Sequence, residues 1–453
     1  MTLRTPPRTP RRAARPTRTA LAAVLGLGLL AACGGGDGRD RDGTITLDYL
    51  SLAWQKESVA TNKALVKRWN DSHSKVKIRY VQGSWDNVHD QLLTSFEGGE
   101  APDIIHDAAD DLTDFAHGGY LADLSDLLPK RLRDGIPKES WSTTTYQGGV
   151  WGVPILHEPR VLIANTKLLR SSGVRVPTVR EPWTWREFEG VARKLTADRN
   201  GDGRTDRYGV AWGMSEPVSQ SVNLSRSTGG EIIGRERTDD GPKNRVRYGP
   251  RESAVAETIN RQVNKDRSAP RSSLGMQGSD TLPGFFAGRY AMVPLNFSFR
   301  QQVLQQAPDG FEWSVLPMPA GEGPDGLAQG VSPQTLSVAE DSDHKQAAAD
   351  FVAYLSRPDH LAELAKGDWI LPTGTEALRD PALNTRKHGW KTGADLARKL
   401  RPAPVLGVRG YPEWSDKIAT PAFQRYYRGD IDLAALRSAL VGDGNRVLNR
   451  YQR

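Results

Sequence analysis

The sequence has 453 residues, of which 38% are apolar and only one is a cysteine. This length is enough for two large lobes or about three domains, and a single cysteine excludes an internal disulfide, a cysteine-rich zinc site and an iron–sulfur cluster. The net charge is +7, but six arginines and no acidic residue precede Cys33. The rest of the chain is close to neutral, so we expect no nucleic-acid partner.

The first residues of the chain have the pattern of an export signal. Residues 1–18 are basic, and the apolar run 20–32 is shorter than the ~20 residues that a membrane-spanning helix needs. The run ends in Leu-Ala-Ala-Cys at 30–33, which resembles the lipobox of bacterial lipoproteins, where the cysteine carries the lipid. The Gly-rich segment 34–43 is then a flexible tether. The sequence therefore predicts an extracytoplasmic protein that is anchored to the cell membrane of a Gram-positive bacterium through lipidated Cys33.

Strand-like and helix-like segments alternate after the tether. In chain order, apolar periodicity predicts a strand at 45–52, a helix at 57–72, a strand at 76–81, a helix at 85–96, a strand at 104–105, a strand at 161–164, a helix at 184–195, strands at 208–212, 290–295 and 311–316, and a helix at 344–355. This alternation predicts an α/β protein with mainly parallel sheets covered by helices.

Eight short segments carry a resemblance to a known family. They are Trp54-Gln55-Lys56, GGEAPDII at 98–105, GGYLADL at 118–124, YQGGVWGVP at 146–154, NTKLL at 165–169, PWTW at 182–185, FAGRYAM at 286–292 and LPMP at 316–319. In this order they resemble the extracellular solute-binding lipoproteins of ABC importers, especially the sugar-binding group (bacterial family 1 solute-binding proteins). The resemblance covers nearly all of residues 44–453.

The resemblance implies a type II periplasmic-binding-protein-like fold with two α/β lobes and a ligand cleft between them. In such a fold the chain crosses the hinge more than once. We place lobe one at 44–155 plus 327–362, and lobe two at 157–322 plus 366–453.

The implied function is capture of a mono- or oligosaccharide and its delivery to the permease subunits of an ABC transporter. We expect a monomer with no enzymatic activity and no required cofactor. Three alternatives stay open. The first is a surface-anchored carbohydrate-active enzyme such as a glycosidase, which would use paired carboxylates such as Glu158 and Asp110. The others are a binding protein for a non-sugar polar solute and a ligand-sensing lipoprotein that signals to a membrane kinase.

A sugar site needs aromatic rings against the flat C–H faces and polar side chains around the hydroxyl groups. Strand ends and family positions indicate these ligand-binding residues: Trp54, Gln55, Lys56, Asp107, Asp110, His157, Glu158, Trp212, Asn296, Phe299, Gly330, Ser332, Trp369 and Trp414. Two positions depart from the family. Asp107 stands where an aromatic contact is frequent, and residues 296–299 replace a Gly-Pro-Trp turn, which leaves Phe299, with Phe297 as the alternative, as the stacking ring. For each of these residues, core packing, turn formation or helix capping is the alternative interpretation.

One loop has the spacing of a calcium site. Asp198, Asn200, Asp202 and Asp206 occupy positions 1, 3, 5 and 9, with Gly203 at position 6 and Arg204 at position 7. The Glu expected at position 12 is replaced by Gly209. The sequence thus indicates a structural calcium ion, and an Asn-Gly/Asp-Gly turn that needs no metal is the alternative.

Overall fold

The computed structural model of the protein describes residues 43–238 and 241–452. Cys33, the export signal and nearly all of the tether lie outside the described residues. The strands are β1 Ile45–Ser51, β2 Val76–Gln82, β3 Ile104–Ala108, β4 Thr145–Tyr146, β5 Gly149–Val150, β6 Val153–His157, β7 Arg160–Asn165, β8 Tyr208–Val210, β9 Ile233–Thr238, β10 Gly241–Val246, β11 Tyr290–Asn296, β12 Trp313–Pro317, β13 Gln329–Val331, β14 Gln334–Val338, β15 Leu371–Pro372 and β16 Leu400–Pro402.

The helices cover the faces of the sheets. They are α1 Lys56–Ser72, α2 Val88–Gly98, α3 Ala109–Gly118, α4 Lys130–Gly135, α5 Lys138–Trp141, α6 Thr166–Ser171, α7 Trp185–Leu195, α8 Pro217–Leu224, α9 Pro250–Asn264, α10 Leu282–Phe286, α11 Arg300–Gln306, α12 Lys345–Leu355, α13 Pro358–Gly367, α14 Trp390–Ala397, α15 Tyr411–Trp414, α16 Thr420–Arg428, α17 Leu433–Ser438 and α18 Gly444–Arg450. None of the helices within 43–238 and 241–452 is long and apolar enough to cross a membrane.

Lobe one is built on a six-stranded sheet with the order β15-β6-β14-β3-β1-β2. Strands β1, β2 and β3 are parallel, whereas β14 runs antiparallel to both β3 and β6. The carboxyl ends of β1, β3 and β6 therefore meet the amino end of β14 at one edge, which we call the cleft edge of lobe one.

Lobe two is built on a four-stranded sheet with the order β12-β7-β11-β8. Arg160 at the start of β7 lies opposite Asn296 at the end of β11. Only two residues join β6 of the first sheet to β7 of the second, so this edge of lobe two must face the cleft edge of lobe one. The two-lobe α/β fold is thus confirmed.

Two expectations about the sheets are wrong. The strand β15 pairs with β6 in the first sheet, with Leu371 opposite His157, although we placed residues from 366 onward in lobe two. The second sheet is mostly antiparallel, because β7 runs against both β11 and β12. A strand of two residues such as β15 has no periodic pattern, and the direction of a strand in a sheet depends on pairing with segments far away in the chain.

The largest buried cluster continues from one lobe into the other. It contains Leu47 and Leu336 of the first sheet together with Val161 and Val293 of the second. A second cluster lies on the far face of the second sheet and packs that sheet against the helices of lobe two. The apolar core therefore continues without a break from lobe one into lobe two.

Gly209 allows helix α7 to lie directly on strand β8. A methyl group at Gly209 would lie 2.0 Å from the backbone oxygen of Ala192. We expect Gly209→Ala to lower the free energy of unfolding by about 1–3 kcal/mol or more, because the backbone of α7 or β8 must move to accommodate the methyl group.

The matched control is Gly190→Ala in α7, where the nearest atom to the added methyl group is 4.0 Å away. This change should leave stability unchanged or raise it by up to about 1 kcal/mol, since Ala is the better helix former. Urea unfolding of both variants measures the difference, and equal effects would contradict the close contact.

Candidate functional site

The first crossing between the lobes joins β6 to β7 at residues 158–159, and the second joins β12 to β13 at residues 318–328. One side chain fastens these two crossings to each other. The carboxamide of Gln329 accepts a hydrogen bond from the backbone N–H of Arg160 at 2.8 Å and donates one to the backbone oxygen of Arg160 at 3.0 Å. This pair of bonds fixes β13 beside the start of β7. The facing edges of the two lobes are held together at this point.

The third crossing leads from β15 to α14 at residues 373–389. A buried arginine fastens it. The guanidinium of Arg300 donates to the backbone oxygens of Phe297, His388 and Trp369 at 2.6–2.7 Å. It also lies 3.3 Å from the ring centre of Phe297 and 4.2 Å from that of Trp390. Burial lowers the pKa of Arg300 well below its usual value, and the three carbonyl groups and the rings are what satisfy its buried donors.

Trp369, a predicted ligand contact, belongs to this arginine cluster. Its ring stacks on Trp390 at 5.7 Å, and its backbone has a positive φ of 57°. The ring is only partly buried, so one part of it is free, but its position is determined by Arg300 and Trp390.

The cleft edge of lobe one presents buried carboxyl groups. Asp107 at the end of β3 is 5% exposed, and neither of its carboxyl oxygens has a hydrogen-bond partner among the described residues. Burial raises the pKa of Asp107 well above its usual value, and the nearby charge of Asp111 adds to the rise. Burial also raises the pKa of Asp110 to about 6, with a further contribution from Asp111, while the hydroxyl of Ser332 opposes the rise.

A chain of hydrogen bonds runs along the same edge to a third carboxyl group. His106 Nδ1 accepts from the backbone N–H of Leu52 at 3.1 Å, so the proton of the neutral ring is on Nε2. Nε2 then donates to Gln334 Oε1 at 3.0 Å, and Gln334 Nε2 donates to Asp368 Oδ2 at 3.1 Å. Burial lowers the pKa of His106 to about 4, which keeps the ring neutral.

This chain contributes His106, Gln334 and Asp368 to the edge, and we did not predict any of them. Their only signal in the sequence is that each lies within two residues of the end of an element. Asp368 Oδ1 has no partner within the described part of the chain.

The loop after β1 brings an aromatic ring and an amide to the edge. The side chain of Trp54 is 49% exposed, although it lies beside a buried strand, and Lys56 is exposed at the start of α1. Gln55 is 3% exposed, and neither atom of its carboxamide has a partner among the described residues. An unpaired buried amide is costly, which marks this loop as a place where a ligand supplies the missing hydrogen bonds.

The first crossing presents His157, Glu158 and Arg160. Nε2 of His157 is buried without a partner in the described residues, and burial lowers the pKa of this ring to about 4. Glu158 accepts a hydrogen bond from the backbone N–H of Ser298 at 2.8 Å. Burial lowers the pKa of Arg160 to about 10, while Glu158 and Glu216 oppose this change.

Three further predicted residues lie on the facing edge or beside it. Asn296 is opposite Arg160, and Phe299 is half-buried just before α11. Gly330 lies against α8, where a methyl group would come within 2.7 Å of Asn223 Oδ1. The close approach of the Gly330 backbone is therefore to the helix of lobe two, whereas we had assigned it to a ligand.

Two predicted stacking rings are in the core, and their assignment to the cleft is wrong. Trp212 is fully buried and donates from Nε1 to Gln262 Oε1 at 2.8 Å. Trp414 is also fully buried, and a methyl group at Gly444 would lie 2.4 Å from its Nε1. Both rings fill the apolar layer behind the second sheet, because a large ring that follows a strand can turn into that layer as readily as into the cleft.

Tyr411, which precedes Trp414 in α15, is an aromatic residue of lobe two that lies near Asp110. Burial raises the pKa of Tyr411, and the charge of Asp110 is the next contribution. A second contact between the lobes joins Gln301 of α11 to the carboxylate of Glu57 in α1. Lobe two therefore approaches lobe one at two separate places, α11 and α15.

The predicted calcium loop is closed by hydrogen bonds of its own. The oxygens of Asp198 accept from the backbone N–H groups of Gly201 and Gly203 at 2.7 and 2.8 Å, and Asp206 accepts from Arg199 at 2.7 Å. Across residues 43–238 and 241–452 there is no group of three or more His, Cys, Asp or Glu side chains that would hold a metal ion. The loop keeps its shape through these bonds, and calcium binding stays a prediction.

Comparison with known proteins places the chain in a family. A profile of the family described as bacterial extracellular solute-binding protein matches residues 53–382, which is well over half of the chain. The chain belongs to this family. A Streptomyces antibioticus protein named "Uncharacterized lipoprotein in oleD 5'region" is 58% identical to it over 427 residues, which cover 94% of this chain and 92% of the relative.

Solved structures have the same fold. The sugar-binding protein MalE of Xanthomonas citri matches with a TM-score of 0.74 at 19% identity, over 90% of this chain and 98% of that one. An ABC substrate-binding protein of Listeria monocytogenes, solved in complex with cycloalternan, matches with a TM-score of 0.72 at 21% identity, over 90% of this chain and 99% of that one. Both matches confirm the expected two-lobe fold.

The raised pKa of Asp110 makes stability depend on pH. An ordinary Asp has a pKa of about 3.9, so the folded protein binds this proton more tightly than the unfolded chain, and stability is lost as pH rises from about 4 through 6. We expect Asp110→Asn to raise the free energy of unfolding by on the order of 2 kcal/mol above about pH 7 and to leave it unchanged near pH 4.

Chemical unfolding at these two pH values measures this difference. Asp126→Asn is the control, because Asp126 is an exposed residue of the same lobe. A gain of equal size at both pH values would contradict burial of the ionised carboxylate.

The opposite environments of Trp54 and Trp414 give a second prediction. Trp414→Ala should lower the free energy of unfolding by about 3–5 kcal/mol, because it empties a core position. Trp54→Ala should change it by less than about 0.5 kcal/mol, since the ring is half exposed. Urea titration of the two variants serves as a matched comparison, and similar losses would contradict the placement of these rings.

Proposed function

We propose that this protein is a lipid-anchored binding protein that captures a sugar outside the cell and delivers it to the permease of an ABC transporter. The observation that carries the proposal is the set of unpartnered buried polar groups on the cleft edge of lobe one, above all Gln55 and Asp107. A sugar supplies many hydroxyl groups, each of which can donate and accept hydrogen bonds. Two structural neighbours are named as a sugar-binding protein and a cycloalternan complex, which supports the same class of ligand.

The hinge suits capture by closure. The crossings are fastened by Gln329 and Arg300, whereas the cleft edge holds polar groups that lack partners. A ligand that satisfies groups on both lobes favours the closed arrangement by its differential affinity for it. The permease would then recognise the closed form of a monomer.

Anchoring and the lack of catalysis belong to the same proposal. The relative from Streptomyces antibioticus is named a lipoprotein, which supports lipidation of Cys33. The matched family is one of binding proteins, and we propose that this chain binds its sugar without converting it. We also retain a structural calcium ion in the loop 198–206 as part of the proposal.

A thermal-shift screen of the full chain in detergent, against mono- and oligosaccharides, tests the function. A sugar at 100 times its Kd should stabilise the folded protein by ~2.7 kcal/mol and raise the Tm by several degrees. Trp54→Ala should weaken binding of that sugar about 10-fold, because stacking on the exposed ring is lost.

Chromatography of the incubated sugar and uptake by a deletion strain complete the test. The sugar should be recovered unchanged, and uptake should fall in the deletion strain and return with the intact gene. Hydrolysis of the sugar would instead support a carbohydrate-active enzyme. The absence of any shift across the panel would contradict sugar binding.

A further inference from the structure

The carboxyl groups of the cleft fall into two sets according to their partners. Glu158 lies near Arg160, and Asp111 pairs with His89 at 2.9 Å. The other set consists of Asp107, Asp110 and Asp368. Among the described residues, these three form no ion pair within 4.0 Å with any Lys, Arg or His.

Two members of the second set, Asp107 and Asp368, are buried at the cleft edge, where missing partners matter most. Asp107 is 5% exposed and Asp368 is 4% exposed, and three of their four carboxyl oxygens have no hydrogen-bond partner in the described part of the chain. Gln55, 3% exposed, adds a carboxamide with no partner for either atom. A buried carboxylate without a cation or hydrogen-bond donor is one of the most costly groups in a protein. The raised pKa values of Asp107 and Asp110 are consistent with this cost.

The missing partner is better supplied by an organic cation than by a metal ion. Among residues 43–238 and 241–452, no three or more His, Cys, Asp or Glu side chains are grouped as ligands for a metal. The carboxyl groups are instead distributed along the edge, from the end of β3 to the turn after α13. An ammonium group has a full positive charge and three hydrogen-bond donors, so it can bond to one carboxylate while the remaining hydroxyl groups of the same molecule reach the others.

The aromatic residues point to the same ligand. A neutral sugar relies largely on stacking, yet two predicted rings, Trp212 and Trp414, are in the core, and Asp107 stands where a third ring was expected. Trp54 remains exposed, and Tyr411 lies close to Asp110. Besides these two rings, Trp369 and Phe299 are only partly buried, and the edge of lobe one carries carboxyl groups that have no cationic partner within the described residues.

From this geometry we propose that the cleft selects an amino sugar, a mono- or oligosaccharide with a free protonated amine, over its neutral counterpart. This inference rests on the proposed sugar-binding function and specifies its substrate class. Asp107 is the specificity-determining residue, because its carboxylate is buried and neither oxygen has a hydrogen-bond partner within residues 43–238 and 241–452. Asp110 and Asp368 are further carboxyl groups at the same edge of lobe one.

Matched ligands test the inference on the full chain in detergent, in a buffer near pH 7, which lies above the pKa of Asp110 and still leaves most of the amine protonated. The pairs are glucosamine with glucose, galactosamine with galactose, and chitotriose with its fully acetylated form. Each pair has the same ring and differs mainly in the charged amine. Isothermal titration should give at least about a 10-fold tighter Kd for the amine of one pair, the size expected for one charge-assisted hydrogen bond.

Variants then test which carboxylate binds the charged amine. Asp107→Asn should weaken binding of the amine about 10- to 100-fold and change binding of the neutral partner by less than about 3-fold, because Asn keeps the shape and loses the charge. The control is Asp341→Asn, since Asp341 is exposed and follows the end of β14 that points away from the cleft. It should leave both affinities unchanged. The Tm of each variant without ligand checks that it is folded.

The outcomes separate this inference from the proposed function. Preference for an amine that is lost in Asp107→Asn supports both. Equal or tighter binding of the neutral sugars overturns the amino-sugar inference and leaves the sugar-binding function standing. If no sugar of either kind binds, both proposals are contradicted. If the amine is preferred and Asp107→Asn retains that preference, Asp107 is not the residue that confers it, and the assignment falls.

Discussion

A buried polar group without a partner costs about 1–3 kcal/mol, and more if it is charged, and this cost divides the region between the lobes into two parts. At the third crossing the guanidinium of Arg300 is fully buried, yet its donors reach three backbone oxygens. At the cleft edge Asp107 and Gln55 are buried to a similar extent and have no partners among the described residues. In the first part the buried guanidinium has its hydrogen-bond acceptors within the protein. In the second part the buried carboxyl and amide groups lack such partners within the described part of the chain, which is the basis for proposing that a ligand supplies them.

This division suits a protein that opens and closes. The crossings must stay intact while the lobes move, and the carboxamide of Gln329, which holds the backbone of Arg160 at both its N–H and its oxygen, keeps two of them in register. The continuous apolar cluster that joins Leu336 to Val293 supports the same side of the hinge. The polar groups that remain unsatisfied lie along the facing edges, where a bound molecule can join the two lobes.

Local sequence patterns predicted most of the elements but fewer of the site residues. The helix expected at 184–195 is observed at Trp185–Leu195, and Thr184 and Glu187 form a capping box at its start. The strand expected at 45–52 is observed at Ile45–Ser51. By contrast, β15 has only two residues, too few for any periodicity, and its place beside His157 depends on a return of the chain from α13. The helix that we expected from 85 begins at Val88, because Asn87 has a positive φ of 57°.

The sequence by itself determined the α/β alternation and the strand ends at which the polar residues of the site lie, because periodicity is local in the chain. It determined the family, and through the family the two-lobe architecture, by the resemblance that eight short motifs carry. Only the tertiary structure decided which of those residues face the cleft. Trp54 and Trp414 are equally plausible as stacking rings in the sequence, yet one is 49% exposed and the other is fully buried. The tertiary structure also decided that His106, Gln334 and Asp368 form one chain of hydrogen bonds. The physical reason is that burial and partnership depend on contacts between segments far apart in the chain, and periodicity in a single segment carries no information about them.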